Sequence, residues 1–357
     1  MKPVTLYDVA RQAGVSYQTV SRVINQAAHV SARTREKVQQ AMAQLHYVPN
    51  RGAQQLAGKR TRTLGLLTTD LALHAPSQIA SAVKTRTGQA GGTTLISMVE
   101  RHDLATCTAA LLELLAQRVD GLLINVPLDD DDARALAMQA GTTPVLFLDV
   151  SPTAAVKNLT FDASEGARSG AQHLLAQGHK QIALLGGPQE SVSARARFSG
   201  WLETLTQAGI APCASAHGDW SAASGYEKAH LLLANAQPTA MLVANDQMAL
   251  GAIRACTEKG ISVPGMISIV GYDDTADSAW YTPPLTTVRQ AFKEAGQRSV
   301  DWLLDSPDAQ TPQQVQLPVT LVVRGSTAPV SDSAPDGDLL AQRLNELAQL
   351  AARLGRR

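Results

Sequence analysis

Apolar residues recur at helical spacing in the first fifty residues of the chain, and three short helices are predicted there. The first begins at Thr5 and ends at Gly14, the second follows Ser16, and the third follows Ser31. Hydroxyl side chains suit helix N-caps, and glycine permits a sharp turn. This order predicts a helix-turn-helix arrangement. Its small core is expected from Leu6, Val9, Ala10, Val15, Val20 and Val23.

From residue 63, short apolar runs alternate with amphipathic stretches. Strands are predicted at 63–68, 94–99, 121–126, 144–149, 181–186, 240–245, 267–272 and 319–324. Helices are predicted between them, for example at 103–117, 164–177, 194–208, 223–235 and 247–259. This rhythm predicts parallel sheets covered by helices. Roughly 265 residues are many for one sheet, so two lobes are expected.

Two segments outside this pattern are predicted to be linkers with a helix attached. Pro49 ends the third helix, and Asn50 can cap a short helix that ends at Gly58. Its Leu56 either rests on the next domain or enters a DNA base step as a wedge. Residues 326–338 are rich in Ser, Pro and Asp and predict a flexible linker. The last residues predict either a coiled-coil helix or a helix folded back on the body, with a heptad seam at Leu340, Leu344, Leu347, Ala351 and Leu354.

The composition is that of a globular protein, with 45% hydrophobic and 17% charged residues. No apolar run reaches the roughly 18 residues of a membrane span, and the first residues lack the apolar region of a secretory signal, so we expect a cytoplasmic protein without membrane contact. The three cysteines lack metal-ligand spacing, and free thiols that are buried or half-buried are expected.

Charge is unevenly distributed along the chain, although the net charge is zero. Residues 1–62 hold ten basic and two acidic residues, whereas the rest is acidic by the same margin. A basic head predicts a polyanionic partner, either nucleic acid or an anionic membrane. Gln18 and Arg22 on the second helix favour DNA, since such side chains read adenine and guanine. The alternative is a solvated face on a structural bundle. Phosphate contacts suit the hydroxyls of Ser16, Ser21, Ser31 and Thr34.

Enzyme signatures are weak, because no phosphate-binding loop, nucleophile elbow or zinc motif is present. The four acids from Asp129 to Asp132 favour a solvated helix start over a metal site. Ligands of open α/β sheets lie beyond the carboxyl ends of strands. The polar residues expected there suit a hydroxyl-rich ligand, although each alone is equally a helix cap: Asp70, Asn125, Asp149, Asn245 and Asp273.

The chain resembles the sugar-responsive bacterial repressor family over nearly its whole length. The stretches that carry the resemblance are VTLYDVARQAGVSYQTVSRVIN, YVPNRGAQQLAGK, LALHAPSQI, LDVS, DWSA, TAMLVANDQMALGA and VGYDD–PPLTT. Those of the pocket resemble the lactose-type members. The resemblance implies an all-α helix-turn-helix headpiece (1–46), a hinge helix and linker (47–62), a periplasmic-binding-protein-like α/β core of type I with two parallel-sheet lobes (63–330), a flexible linker (331–338) and a tetramerisation helix (339–357). It also implies chain crossings between the lobes near residues 161, 290 and 320.

The same resemblance implies the site residues. DNA contacts are implied for Leu6, Ser16, Tyr17, Gln18, Thr19, Ser21, Arg22, Asn25, His29, Ser31, Arg33, Thr34, Asn50, Ala53, Gln54, Leu56 and Ala57. An effector pocket is implied for Leu73, Ala75, Pro76, Ile79, Asn125, Leu148, Asp149, Phe161, Ser193, Arg197, Trp220, Asn245, Asp273, Gln290 and Phe292. The heptad residues would join two dimers into a tetramer.

The function implied is a transcriptional repressor of a lactose-utilisation operon, released from operator DNA by a galactoside, without cofactor, metal or catalysis. The alternatives are a related repressor for a ribose or purine ligand, and a sugar-processing enzyme or transport protein. One departure from the family lies in the hinge, where Gly52 replaces a usual apolar residue. Glycine disfavours a helix interior by about 1 kcal/mol relative to alanine, so a less helical hinge without DNA is expected.

Overall fold

The computed structural model describes residues 4–24, 29–48, 61–305 and 314–330. The chain divides into two compact units, 1–61 and 62–357. The predictions for Asn25, the hinge helix with Gly52 and Leu56, the linker after 330 and the heptad helix therefore lie outside the described residues.

The first unit contains the three predicted helices: α1 (Leu6–Ala13), α2 (Tyr17–Ile24) and α3 (Ala32–Gln44). Thr5 and Asp8 form a capping box at the start of α1, and Gly14 ends that helix with φ at +65°. The Ser31 side chain accepts a hydrogen bond from the Thr34 amide and so caps α3. All six predicted core residues pack together, with Val9, Ala10, Val20 and Val23 buried and Leu6 and Val15 partly buried.

The second unit contains two six-stranded sheets, which confirms the two-lobed expectation. The first lobe contains β1 (Thr63–Thr68), α4 (His74–Gln89), β2 (Thr93–Met98), α5 (Leu104–Ala116), β3 (Gly121–Asn125), α6 (Asp130–Gln139), β4 (Val145–Phe147) and β5 (Asn158–Phe161). The second lobe contains α7 (Ala163–Ala176), β6 (Ile182–Gly186), α8 (Val192–Gln207), β7 (Ala214–His217), α9 (Ala222–Asn235), β8 (Ala240–Val243), α10 (Asp246–Glu258), β9 (Ser268–Asp273), a 3₁₀ turn (Ser278–Trp280) and β10 (Thr286–Arg289). Its last strand in the chain is β12 (Thr320–Val322), whereas α11 (Phe292–Asp305) and β11 (Gln314–Leu317) return to the first lobe.

The sheet orders confirm the predicted crossings near residues 161, 290 and 320. The first sheet runs β11–β5–β4–β3–β1–β2, and the second runs β12–β10–β9–β8–β6–β7. The chain passes to the second lobe after β5, returns with α11, and crosses again between β11 and β12. The predicted parallel sheets are confirmed with one antiparallel pair, that of β12 with β10. β11 ends at the carboxyl edge of the first sheet beside its parallel partner β5, and only two residues separate it from β12. β12 therefore enters the second sheet at the carboxyl ends of the strands and runs opposite to β10.

Each lobe has its own apolar core. In the second lobe the core is one cluster around the strands β6, β8 and β9, whereas two clusters cover the opposite faces of the first sheet. The cysteine prediction is confirmed, since all three thiols are free, with Cys107 and Cys256 buried and Cys213 half-buried. Asp129–Asp132 also lie as predicted, at the N-terminus of α6.

Candidate functional site

A cavity of about 690 Å³ lies between the two lobes, beyond the carboxyl ends of their strands. The structure brings together at its wall all fifteen residues that the sequence assigned to a pocket. They are Leu73, Ala75, Pro76, Ile79, Asn125, Leu148, Asp149, Phe161, Ser193, Arg197, Trp220, Asn245, Asp273, Gln290 and Phe292. The volume is within the usual range for small-molecule sites.

The apolar part of the cavity belongs mainly to the first lobe. Phe161 and Phe292 pack edge to face with ring centroids 5.3 Å apart, and Leu148 and Ile79 are buried in the same cluster. Phe292 starts α11, the helix that returns from the second lobe, so this wall forms only when the crossings are complete. These side chains offer an apolar surface beside which a ring with one apolar face can lie.

Arg197 is the buried cation of the cavity, with a side chain only 6% exposed. Its guanidinium donates to the Ala244 carbonyl, lies 3.5 Å from an Asp273 carboxylate oxygen, and stacks 3.9 Å from the centroid of the Tyr272 ring. Within the described structure its Nε–H has no hydrogen-bond partner. A buried donor without a partner is costly, and this N–H is enclosed by protein atoms rather than open to the cavity.

Two carboxyl groups near Arg197 have raised pKa values. Burial raises the pKa of Asp273 to about 7, although Arg197 and a 2.8 Å hydrogen bond from Gln290 act in the opposite direction. Burial likewise raises the pKa of Asp149 to about 6, opposed by Arg197 and by the Ser193 amide. Near neutral pH the cavity can therefore present carboxyl groups that donate or accept hydrogen bonds, which matches hydroxyl groups.

Asn245 shows that the capping alternative holds for one of the strand-end residues. Its side chain caps α10 by accepting from the Met248 amide at 2.8 Å, and it donates to the Trp220 carbonyl at 3.0 Å. A ligand contact can therefore use the second N–H of its amide or the second lone pair of its oxygen. The bond holds the backbone of Trp220, whose indole packs so closely on Gly187 that a Cβ there would meet the ring.

Sequence reasoning missed several groups at and behind the cavity wall. Asp246 is fully buried, and its carboxylate accepts from the Thr275 amide at 2.9 Å and from the hydroxyls of Ser278 and Thr287 at 2.5 Å. It thereby fixes the loop that follows Asp273. The available signal was the acid after Asn245 in the stretch VANDQ. The missed polar lining residues are Thr69, His74, Glu100, His102, Thr160, Ser164, Glu190, Ser191, Asp219, Gln247 and Gln316.

The headpiece, residues 1–46, presents a second candidate surface on α2. Tyr17, Gln18 and Arg22 are exposed on this helix, and Thr19 and Ser21 are half-buried. The Tyr17 ring lies 5.3 Å from that of Tyr7, and Ser16 caps the helix through the Thr19 amide at 3.2 Å. The remaining predicted contacts are exposed at Ser16, His29, Ser31 and Arg33 and half-buried at Leu6 and Thr34. Those at Asn25, Asn50, Ala53, Gln54, Leu56 and Ala57 lie outside the described residues.

The described residues offer neither a metal cluster nor a membrane-spanning helix. No group of three His, Cys, Asp or Glu side chains in those ranges could hold a metal ion. No helix in them combines the length and apolar character needed to cross a membrane.

Two family descriptions match the chain. "Bacterial regulatory proteins, lacI family" covers residues 5–50, and "Periplasmic binding protein-like domain" covers residues 171–327. The Lactose operon repressor of Escherichia coli strain K12 is 55% identical over 356 residues, which span 99% of each chain.

Solved structures with the same fold extend over both units. A lac repressor dimer bound to operator and the anti-inducer ONPF is 56% identical, with a TM-score of 0.87 over 92% of this chain and 100% of that one. A lac repressor bound to ONPG in the repressed state is 57% identical, with a TM-score of 0.87 over 91% of this chain and 100% of that one.

Proposed function

This chain belongs to the lacI family of bacterial regulatory proteins, and we propose that it is the repressor of a lactose-utilisation operon. It binds a pseudopalindromic operator as a dimer or tetramer, and a galactoside inducer of the allolactose type releases it. One observation carries the proposal. The chain is similar over 99% of its length to a lactose operon repressor, and it has both a helix-turn-helix surface and the cavity. A DNA-binding regulator has no reaction to catalyse, in agreement with the non-enzyme expectation. An operator target also places the protein in the cytoplasm.

The proposed domains follow the sequence boundaries. Residues 1–46 form the DNA-binding headpiece, and residues 47–62 form the hinge helix and linker. Residues 63–330 form the sugar-binding and dimerisation core. Residues 331–338 form a flexible linker to the helix 339–357, which joins two dimers.

On the DNA side, α2 is the proposed reading helix. Gln18 and Arg22 are exposed and carry the donor and acceptor pattern that reads adenine and guanine. The capped helix starts at Ser16 and Ser31 suit phosphate contacts, which orient the headpiece without reading sequence. Gln18→Ala should lower affinity for the operator by about 1–3 kcal/mol, with little change for random duplex.

On the sugar side, the donor set fits a galactoside. Trp220 and the phenylalanines offer an apolar surface for the apolar face of the ring, and Arg197 lines the same cavity as a hydrogen-bond donor. The carboxyl groups of Asp149 and Asp273 can form hydrogen bonds with the sugar hydroxyls, and the amides of Asn125 and Gln290 can donate or accept such bonds.

The proposed mechanism is a shift of population between two lobe arrangements. The sugar binds better to the arrangement in which the first lobes of a dimer rotate apart, which separates the paired hinge helices. Only this difference in affinity can release the operator.

The decisive experiment is fluorescence anisotropy of a labelled lac-type operator duplex at fixed salt. Tight binding that isopropyl-β-D-thiogalactoside reverses supports the proposal. Tight binding that galactosides do not reverse supports a repressor whose effector is another ligand, such as a ribose or purine compound. No binding at low salt overturns the DNA function.

Arg197→Lys gives the matched test of the cavity. The lysine keeps the charge but loses the planar guanidinium that stacks on Tyr272 and donates to Ala244. Galactoside affinity should fall at least tenfold, while operator binding without sugar stays close to that of the parent. Arg168→Lys, on an exposed helix pair with Glu165, is the control and should change neither affinity.

A further inference from the structure

An ion pair joins the two lobes at the edge of the cavity. Arg195 in α8 of the second lobe places Nη2 2.9 Å from a carboxylate oxygen of Asp129, which precedes α6 in the first lobe. Each of the other ion pairs found among the described residues joins groups within one lobe or within the headpiece. This pair is therefore sensitive to any change in lobe orientation.

Arg195 is held firmly on its own side. Its Nη1 donates to the carbonyls of Gln189 at 3.0 Å and Glu190 at 2.9 Å. These carbonyls belong to the segment 188–193, which contributes five residues to the cavity wall, including Ser193. A guanidinium fixed by two carbonyls loses little further side-chain freedom when it also binds a carboxylate.

The Asp129 side chain, in the first lobe, is also oriented toward this ion pair. It occupies the N-cap position of α6, yet its side chain makes no capping hydrogen bond and is directed to Arg195 instead. The preceding residue, Leu128, donates its amide to the Asp149 carbonyl at 3.2 Å. The pair thus lies one residue from the backbone contact that positions Asp149 in the cavity. Burial raises the pKa of Asp149, and the charges of Arg197 and, to a smaller extent, Arg195 oppose that shift.

We propose that Arg195 and Asp129 form a cross-lobe latch that positions the segment 188–193 and Asp149 for the sugar and is made in only one of the two lobe arrangements. The inference rests on the proposed function. Both side chains are partly exposed, at 47% and 76%, so the effect is modest and is screened by salt. Its consequence is set by linkage, because loss of a contact made in one state shifts the population toward the other.

The test is a double-mutant cycle with Asp129→Asn, Arg195→Gln and the double variant in the full chain. Asparagine is as good an N-cap as aspartate, so the start of α6 is preserved. Operator affinity without sugar and isopropyl-β-D-thiogalactoside affinity without operator are measured by anisotropy and Trp fluorescence. The matched control is Asp131→Asn with Arg134→Gln, an exposed ion pair within α6.

The latch predicts that the two affinities change in opposite directions by two- to fivefold in each single variant. The double variant should change them no further, and the control pair should change neither. Unchanged affinities, additive changes, or a fall of both affinities together would overturn the latch. A parent chain that binds operator but ignores the galactoside overturns the proposed effector instead, so the two failures are distinct.

Discussion

Three residues beside the cavity have backbone angles that side chains rarely adopt. Trp220 has φ at +78°, Asp273 at +117° and Asp274 at +56°. Such conformations cost about 1–3 kcal/mol each and persist only when neighbouring contacts hold them. Asp274 is held by the guanidinium groups of Arg289 and Arg324, each at 2.6 Å. The strain therefore lies where the proposed ligand groups must be fixed in place before binding.

Asp273 should make the stability of the chain depend on pH. Burial raises its pKa from 3.8 to about 7, so between these values the folded chain holds a proton that the unfolded chain lacks. The stabilisation by that proton is complete at low pH and is lost as pH rises through about 7. Urea unfolding of the parent and Asp273→Asn should show the free energy of unfolding of the parent falling, relative to the variant, by about 2 kcal/mol from pH 5 to 8.

A difference between parent and variant that stays constant over this range would show that Asp273 is ionised throughout. Burial would then be compensated fully by Arg197 and Gln290, and the carboxyl could only accept from a sugar hydroxyl.

At the scale of elements, two glycines allow α9 and α10 to cross closely. A Cβ at Gly251 would fall on the Ala222 carbonyl and the Tyr226 amide, and one at Gly225 would fall on the backbone of Met248. Backbone atoms cannot rotate away as side chains can, so these positions fix how the two helices pack in the second lobe.

Gly251→Ala should therefore destabilise the core by roughly 1–3 kcal/mol, the usual cost of overpacking. The control is Gly88→Ala near the end of α4, where a Cβ meets nothing within 4 Å. That change should raise stability by up to about 1 kcal/mol through helix propensity. Calorimetric melting temperatures should thus move in opposite directions. An equal or higher melting temperature for Gly251→Ala would mean that the helices separate without cost.

The elements also show what a sequence can predict. The runs at 63–68 and 121–126 became strands with nearly the expected bounds, because near-continuous apolar residues identify strands buried on both faces. Four strands were missed: Asn158–Phe161, Ala214–His217, Thr286–Arg289 and Gln314–Leu317. Each has four residues with polar members, and its pairing depends on neighbours distant in sequence. The helix His74–Gln89 was not among the helical stretches given as examples, and its buried residues are Ile79, Ala80, Ala82, Val83 and Thr87, of which only two are large and apolar.

The same limit applies to the cavity. Residue chemistry alone identified only the five polar strand ends, whereas the resemblance supplied the other lining residues that were predicted. Phe161, Arg197 and Phe292 are far apart in sequence and meet because the chain crosses three times between the lobes. No local pattern contains that information. The acid at Asp246 is visible in the sequence, but its role is not, because its partners Thr275, Ser278 and Thr287 lie 29 or more residues away.

At the scale of the whole molecule, function requires units that act on different partners. The ten basic residues of the first 62 suit a polyanion, and the acidic balance of the remainder disfavours DNA contact by the core. Two headpieces in a dimer match the two half-sites of a pseudopalindrome, because operator symmetry mirrors protein symmetry. A second dimer adds no contact to one operator, but it allows one protein to hold two operators at a raised effective concentration.

The heptad residues of the last segment should control that second step alone. Leu347→Asp places a charge in the predicted apolar seam, where four helices would bury it, so sedimentation should change from tetramer to dimer. Gln349→Asp adds the same charge outside the seam and should leave the tetramer intact. Both variants should bind a single operator and release it with galactoside as the parent does, whereas Leu347→Asp should lose the advantage on a duplex carrying two operators. A parent chain that sediments only as a dimer would disprove the role of the seam. A tetrameric Leu347→Asp would show that the core, and not the seam, joins the dimers.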